Sequence, residues 1–138
     1  MSLSPELQKR RDRFSNLLVP TPASVLNALR ECLVTEFGIA IELREERLHF
    51  RTLDGDPCTL EYADAYVVRR ALHGVEDIGV QQWLRLNLSL CRHFMSIDCQ
   101  EPIPVIKGLI TAGRPQAQVL EDLAIFFNLS HAAKHAAY

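Results

Sequence analysis

The sequence lacks a strong charge of either sign and any long apolar run. Its 138 residues include 15 Lys and Arg against 17 Asp and Glu, which gives a formal net charge of -2. This balance excludes a strongly basic nucleic-acid coat protein and an acidic solubilising tail. No stretch approaches the roughly 18–20 apolar residues that span a bilayer, and no secretory signal is recognisable. With 48% hydrophobic residues, the composition predicts one globular domain over residues 1–138, in the cytosol.

The sequence also lacks the spacings that hold metals or carry catalysis. Cys32, Cys58, Cys91 and Cys99 form no short C-x₂₋₄-C clip of the kind that binds zinc, so we expect free thiols in a reducing compartment. No Gly-rich phosphate loop, G-x-S-x-G elbow or H-E-x-x-H pair occurs. We therefore expect no cofactor, no metal and no enzymatic activity.

Two helices are predicted before the first strand. Ser4 followed by Pro5 is typical of a helix start, and this helix would run to about residue 19. Thr21 and Pro22 repeat the signature, and the second helix would end at Phe37, before Gly38. The first helix has an apolar edge of Leu7, Phe14, Leu17 and Leu18, and a basic cluster of Lys9, Arg10, Arg11 and Arg13 that we interpret as a solvated face.

A change of period predicts a small antiparallel sheet in the middle of the chain. Residues 39–43 and 48–52 alternate apolar and polar side chains, as half-buried strands do. Residues 54–57, Asp-Gly-Asp-Pro, predict a turn, and residues 58–62 would supply a third strand. A helix over residues 39–50 remains the alternative, because apolar residues there also fall at helical spacing.

The C-terminal half is predicted to be helical, with helices over residues 64–74, 80–94 and 105–111 and a helix pair over 115–138. The fold class is therefore α+β: two N-terminal helices, a three-stranded antiparallel meander and a mostly helical C-terminal half. The helix over 80–94 is the most apolar, on more than one side, which is typical of a helix that is buried centrally or shared with a partner. We expect Trp83, Leu86 and Leu90 to form a protein interface, within an isologous homodimer.

Residues 118–138 resemble the helix-turn-helix pattern of DNA-binding regulators. Ala124 would stand at the close approach of the two helices, Asn128 at the turn, and Ser130 would cap the second helix. The resemblance implies that His131, Lys134 and His135 contact nucleic acid. An amphipathic helix pair packed on the core is the preferred interpretation, because Lys134 is the only fixed positive charge from residue 115 onwards.

The absence of catalytic patterns and the surplus of apolar helix surface together favour a small cytosolic protein-binding regulator, adaptor or chaperone. A DNA-binding transcriptional regulator that uses residues 115–138 is the alternative.

Overall fold

A computed structural model describes Pro5 and residues 22–75, 79–98 and 103–136. Apart from Pro5, the helix predicted over residues 4–19 lies outside this described part. The described elements, in chain order, are α1 (Pro22–Phe37), β1 (Glu42–Arg44), β2 (Arg47–Arg51), β3 (Pro57–Tyr62), β4 (Ala65–Ala71), α2 (Val80–Leu90), a 3₁₀ turn (Cys91–His93), β5 (Met95–Asp98), β6 (Val105–Thr111) and α3 (Gln116–Ala136).

The six strands form one antiparallel sheet in the order β1-β2-β3-β4-β6-β5. The predicted architecture, a three-stranded meander followed by a mostly helical C-terminal half, is therefore wrong. The meander of β1, β2 and β3 exists, but it is half of a larger sheet. Among the described residues, one helix precedes the strands, and α2 and α3 follow β4 and β6.

Strand β4 replaces the helix that was predicted over residues 64–74. Val68 pairs with Leu60, and Arg70 pairs with Cys58 on the neighbouring strand β3. Val68 is 0% exposed and Arg70 only 2% exposed, so every second residue faces the core. An arginine at a core position interrupts the apolar alternation that identifies a strand, and Val67 on the opposite face is itself partly buried.

Strand β6 replaces the helix that was predicted over residues 105–111. It pairs with β4 on one side and β5 on the other, and Ile106 and Ile110 are buried. Gly108 lies between them, where an added Cβ would sit 2.6 Å from Phe126 Cδ2. Because only glycine leaves room for that ring, α3 approaches β6 closely at this point.

The helices pack on the sheet face that carries the core. Most of that core is a layer of aliphatic side chains between sheet and helices, and the other sheet face stays partly exposed in the described residues. Buried members include Leu26, Leu29 and Leu33 of α1, Leu48 and Phe50 of β2, Trp83 and Leu90 of α2, and Val119, Leu123 and Phe126 of α3.

The last element is one continuous helix of 21 residues, Gln116–Ala136. The predicted helix pair is therefore wrong, because Asn128 lies inside the helix and makes no turn. None of the helices in the described part of the chain is long and apolar enough to cross a membrane.

Candidate functional site

A cluster of charges, buried except for Asp54, joins three distant parts of the chain. We call Asp54, Asp56, Arg70 and Lys134 the charge cluster. Asp54 and Asp56 lie in the turn between β2 and β3, Arg70 lies on β4, and Lys134 lies on α3. Asp56 is 0% and Arg70 2% exposed. Buried charges are stable in a protein only when they are paired and hydrogen-bonded, and the geometry of this cluster meets that requirement.

Each cation of the charge cluster contacts both carboxylates. Arg70 donates from Nε to Asp56 Oδ2 at 2.9 Å and from Nη2 to Asp54 Oδ2 at 3.1 Å. Lys134 donates from Nζ to Asp54 Oδ2 at 2.9 Å and to both oxygens of Asp56 at 3.0 Å. Arg70 Nη1 also donates to Ser130 Oγ at 3.0 Å. These ion pairs and hydrogen bonds link the turn between β2 and β3 to α3.

The electrostatics of the charge cluster favour its ionised form. Burial alone would raise the pKa of Asp54, but hydrogen bonds from Thr52 and Lys134 and the charge of Arg70 hold that pKa well below its usual range. Burial alone would lower the pKa of Lys134, and its hydrogen bonds to Asp54 and Asp56 raise it instead. These two pKa shifts favour a charged Asp54 and a charged Lys134 at neutral pH.

The neighbouring thiol is also unsuited to chemistry at neutral pH. Cys58 is 2% exposed, and burial raises the pKa of its thiol to about 12. A nucleophilic cysteine needs a lowered pKa and access to solvent. Cys58 therefore packs as an apolar side chain beside the charge cluster.

An open cleft of about 440 Å³ lies between α1 and α3, above the charge cluster. Asp54 and Arg70 form part of its wall, and the rest is mostly apolar. Leu53, at its rim, is 103% exposed. A cleft of this size and lining is typical of a binding site. We call it the α1–α3 cleft; its apolar lining includes Leu33, Phe37, Ile39, Phe50, Leu123 and Phe127.

The residues predicted as a protein interface lie mainly inside the chain. Trp83 and Leu90 are 5% and 4% exposed in the core, and Leu86 packs half-buried against that core. A different side of α2 carries Leu84 and Leu88, which are 57% and 74% exposed. Residues four apart share one helix face, so these two form one apolar surface, which we call the α2 patch.

Phe94 follows the 3₁₀ turn in an unusual backbone conformation. Its φ is 57°, in the left-handed region that bulky residues rarely adopt, and the residue is 78% exposed. Phe94 lines a groove of about 280 Å³ together with Leu109 and Ile125, which are themselves about half exposed. Local strain at an exposed aromatic side chain is a reason to suspect function.

The three residues predicted to contact nucleic acid are divided between surface and interior. His131 and His135 are exposed, with ring centroids 4.3 Å apart. Lys134 is only 8% exposed, and its amine is held by Asp54 and Asp56. Its amine is therefore occupied by ion pairs within the chain, and contact with nucleic acid stays a prediction.

Sequence reasoning missed the charge cluster because its members are up to 80 residues apart in the chain. One signal was present: Ser130 and Lys134 follow Leu123 and Phe126 at helical spacing, so they continue the buried side of α3. No family model matches the chain, and no curated protein matches it at a significant level.

Proposed function

We propose that this chain is a non-enzymatic, cytosolic protein-binding domain, a regulator, adaptor or chaperone, that works as an isologous homodimer. The observation that carries the proposal is the α2 patch. Leu84 and Leu88 point away from the core on a helix whose other side supplies Trp83 and Leu90 to it. Exposed leucines one turn apart on the same face of a helix are typical of an interface.

The energetics of the α2 patch favour self-association. Burying one leucine side chain stabilises an assembly by about 1.5–3 kcal/mol. A two-fold axis repeats each contact, because each protomer contributes the same surface to an isologous interface. Two α2 helices packed antiparallel would place Leu84 of one protomer against the partner's Leu88.

The position of α2 supports a helix-to-helix interface over strand pairing. The Ile97 N–H of β5, at the edge of the sheet, donates to Asn87 Oδ1 of α2 at 3.0 Å. This N–H of β5 is therefore already paired within the chain and not open to a second strand. The outward side of α2 therefore remains the better surface for a second copy.

Replacing the exposed leucines tests this interface. Leu88→Asp should weaken the dimer at least about 100-fold, because a charge is buried and two leucine contacts are lost. Leu84→Asp should act in the same direction. Leu53→Asp is the matched control, since Leu53 is fully exposed at the α1–α3 cleft, and it should leave the dimer intact. An unchanged sedimentation profile for Leu88→Asp would exclude the α2 patch as the interface.

Phe94 and its groove support a further protein partner. Capture from the native lysate by the wild-type chain should recover one protein, and Phe94→Ser should lose it while the dimer persists. Because Phe94 is mostly exposed, this variant should fold normally. Equal recovery with Phe94→Ser would show that the partner binds elsewhere.

A further inference from the structure

The sheet face opposite the helices carries basic side chains on four of the six strands. Successive residues of a strand point to opposite faces, and Leu48, Val68 and Ile106 are buried in the core. A basic residue stands beside each of them and therefore lies on the other face, and Leu43, which packs against the core, also precedes a basic residue. We call these four residues the basic face: Arg44, Arg47, Arg69 and Lys107.

The strand register places like charges opposite each other twice on this face. Arg44 pairs with Arg47 across β1 and β2, and Arg69 pairs with Lys107 across β4 and β6. Arg44 and Arg47 are exposed, and Arg69 and Lys107 are partly exposed. Like charges directly opposite on neighbouring strands destabilise a sheet. An anion bound to the basic face would relieve this repulsion.

One carboxylate lies between the two like-charge pairs. Glu61 of β3 forms ion pairs with Arg47 and Arg69, and the hydrogen bond from Arg69 holds the pKa of Glu61 below its usual range. Within the described part of the chain, Arg44 and Lys107 form no ion pair. These two cations are therefore available to a partner.

The positive charge is local to this side of the molecule. The outward positions of the described strands carry five basic side chains against three acidic ones, whereas the rest of the sequence has 10 basic and 14 acidic side chains. A positive surface on an otherwise acidic chain selects and orients a negative partner. The five basic residues are Arg44, Arg47, Arg51, Arg69 and Lys107, and the three acidic residues are Glu42, Glu61 and Asp98.

The neighbouring side chains favour a protein over a nucleic acid as that partner. Single-stranded nucleic acids stack their bases on aromatic side chains, whereas the Phe and Tyr residues of the described strands, Phe50, Tyr62 and Tyr66, pack on the core side. The basic face instead adjoins Val67, which pairs with Leu109 in the register. A surface of this mixture matches a segment that carries both carboxylates and apolar side chains.

We propose that the basic face binds an acidic segment of a partner protein, whose carboxylates pair with Arg44 and Lys107. From β1 to β6 the basic face crosses four strand spacings of about 4.8 Å, or about 19 Å in all, which is the length of about six extended residues. The acidic segment gives the proposed protein-binding function a class of partner and rests on that function, but it contacts a surface separate from the α2 patch.

Fluorescence anisotropy with a labelled acidic peptide tests the proposal. The probe is a peptide of about 12 residues, with Leu at every fourth position and Glu elsewhere, so that it exceeds the width of the basic face. It should bind the wild-type chain, with an affinity that falls as salt rises. The same peptide with Gln in place of Glu should bind at least about tenfold more weakly. No binding of the Glu peptide at low salt, or equal binding of the Gln peptide, would overturn the proposal.

Charge reversal locates the binding surface. Arg44→Glu combined with Lys107→Glu should lower the peptide affinity at least about tenfold, and it should fold, because each new carboxylate lies opposite an arginine. Arg85→Glu combined with Arg92→Glu changes the net charge equally at exposed positions outside the basic face and should keep the affinity. If circular dichroism shows a disturbed fold, Arg44→Gln with Lys107→Gln takes the place of the reversal. Wild-type affinity in the folded variant, or an equal loss in the control, would contradict the proposal.

Three comparisons identify other occupants. A labelled single strand of about 12 thymidines should bind more weakly than the Glu peptide, and the opposite preference would overturn the assignment to a protein. A changed sedimentation mass in the charge-reversal variant would show that a second copy covers the basic face, and would also overturn it. Leu88→Asp should leave the peptide affinity unchanged. A wild-type chain that is monomeric and still binds the peptide through the basic face would contradict the α2 homodimer alone.

Discussion

Lys134 and Asp56 form a buried ion pair across 78 residues of sequence, with Nζ at 3.0 Å from both carboxylate oxygens. Asp56 is 0% exposed, and its carboxylate also accepts the His73 N–H at 3.0 Å. This pair links the turn between β2 and β3 to the last helical turns of α3. Lys134 therefore has a structural role, although its sequence segment resembles a DNA-binding pattern.

Removing the amine should destabilise the fold strongly. Lys134→Ala leaves Asp54 and Asp56 with Arg70 as the only cation that contacts them among the described residues, and breaking a buried pair costs about 3–5 kcal/mol. Urea unfolding should show this loss of free energy. Arg85→Ala, at an exposed position of α2, should change stability by less than about 0.5 kcal/mol. Equal stability of Lys134→Ala and the wild type would refute the structural role.

Stability should fall in acid through Asp54. The pKa of Asp54 in the folded chain lies below its unfolded value of about 3.9, so the folded state favours the ionised carboxylate. Its contribution is complete above about pH 5, where the unfolded carboxyl is also ionised, and is lost as the pH falls towards the folded pKa. Urea unfolding between pH 2.5 and 7 should show that the free energy of unfolding decreases less towards low pH in Asp54→Asn than in the wild type. Asp64 is exposed between β3 and β4, so Asp64→Asn should show the same pH dependence of stability as the wild type. If Asp54→Asn also shows the wild-type pH dependence, Asp54 does not contribute to stability through the charge cluster.

Gly108→Ala should destabilise the contact between β6 and α3. The new Cβ would lie 2.6 Å from Phe126 Cδ2 and 3.3 Å from Val68 Cγ1, and overpacking of this kind costs about 1–3 kcal/mol. Adding Phe126→Leu should recover part of the loss. Gly79→Ala is the control, because nothing lies within 4 Å of its Cβ position. Thermal unfolding of the four chains gives the comparison, and a neutral Gly108→Ala would disprove the close approach.

Phe94→Gly should raise stability by about 1 kcal/mol, because glycine adopts a positive φ without the penalty of a side chain. The ring contributes little packing, since 78% of Phe94 is exposed. Chemical denaturation checks this gain, and a loss above about 1 kcal/mol would show that the ring is structural and weaken its assignment to a partner.

The sequence predicts elements well where local signals agree. Pro22 and Gly38 mark the ends of α1, and Gly38 adopts the expected positive φ of 63°. The turn between β2 and β3 and the strand after it are also confirmed, as is a helix that begins at Val80.

Prediction fails where tertiary contacts decide the outcome. Arg70 at a core position and partly buried Val67 on the other face hide the period of β4. Gly108 similarly interrupts the apolar alternation of β6, because the ring of Phe126 fills the space where a side chain at position 108 would lie. The members of the charge cluster are brought together only by contacts between distant parts of the chain. The one sequence signal is that Lys134 continues the buried side of α3.

The mass of the wild-type chain in solution tests the central proposal most directly. Sedimentation equilibrium over a concentration series should give twice the 15.6 kDa of one chain. The double variant with Leu84→Asp and Leu88→Asp should have a mass of 15.6 kDa and an unchanged circular dichroism spectrum. A wild-type chain that remains at 15.6 kDa throughout the series, or a folded double variant that keeps the doubled mass, would contradict the α2 homodimer.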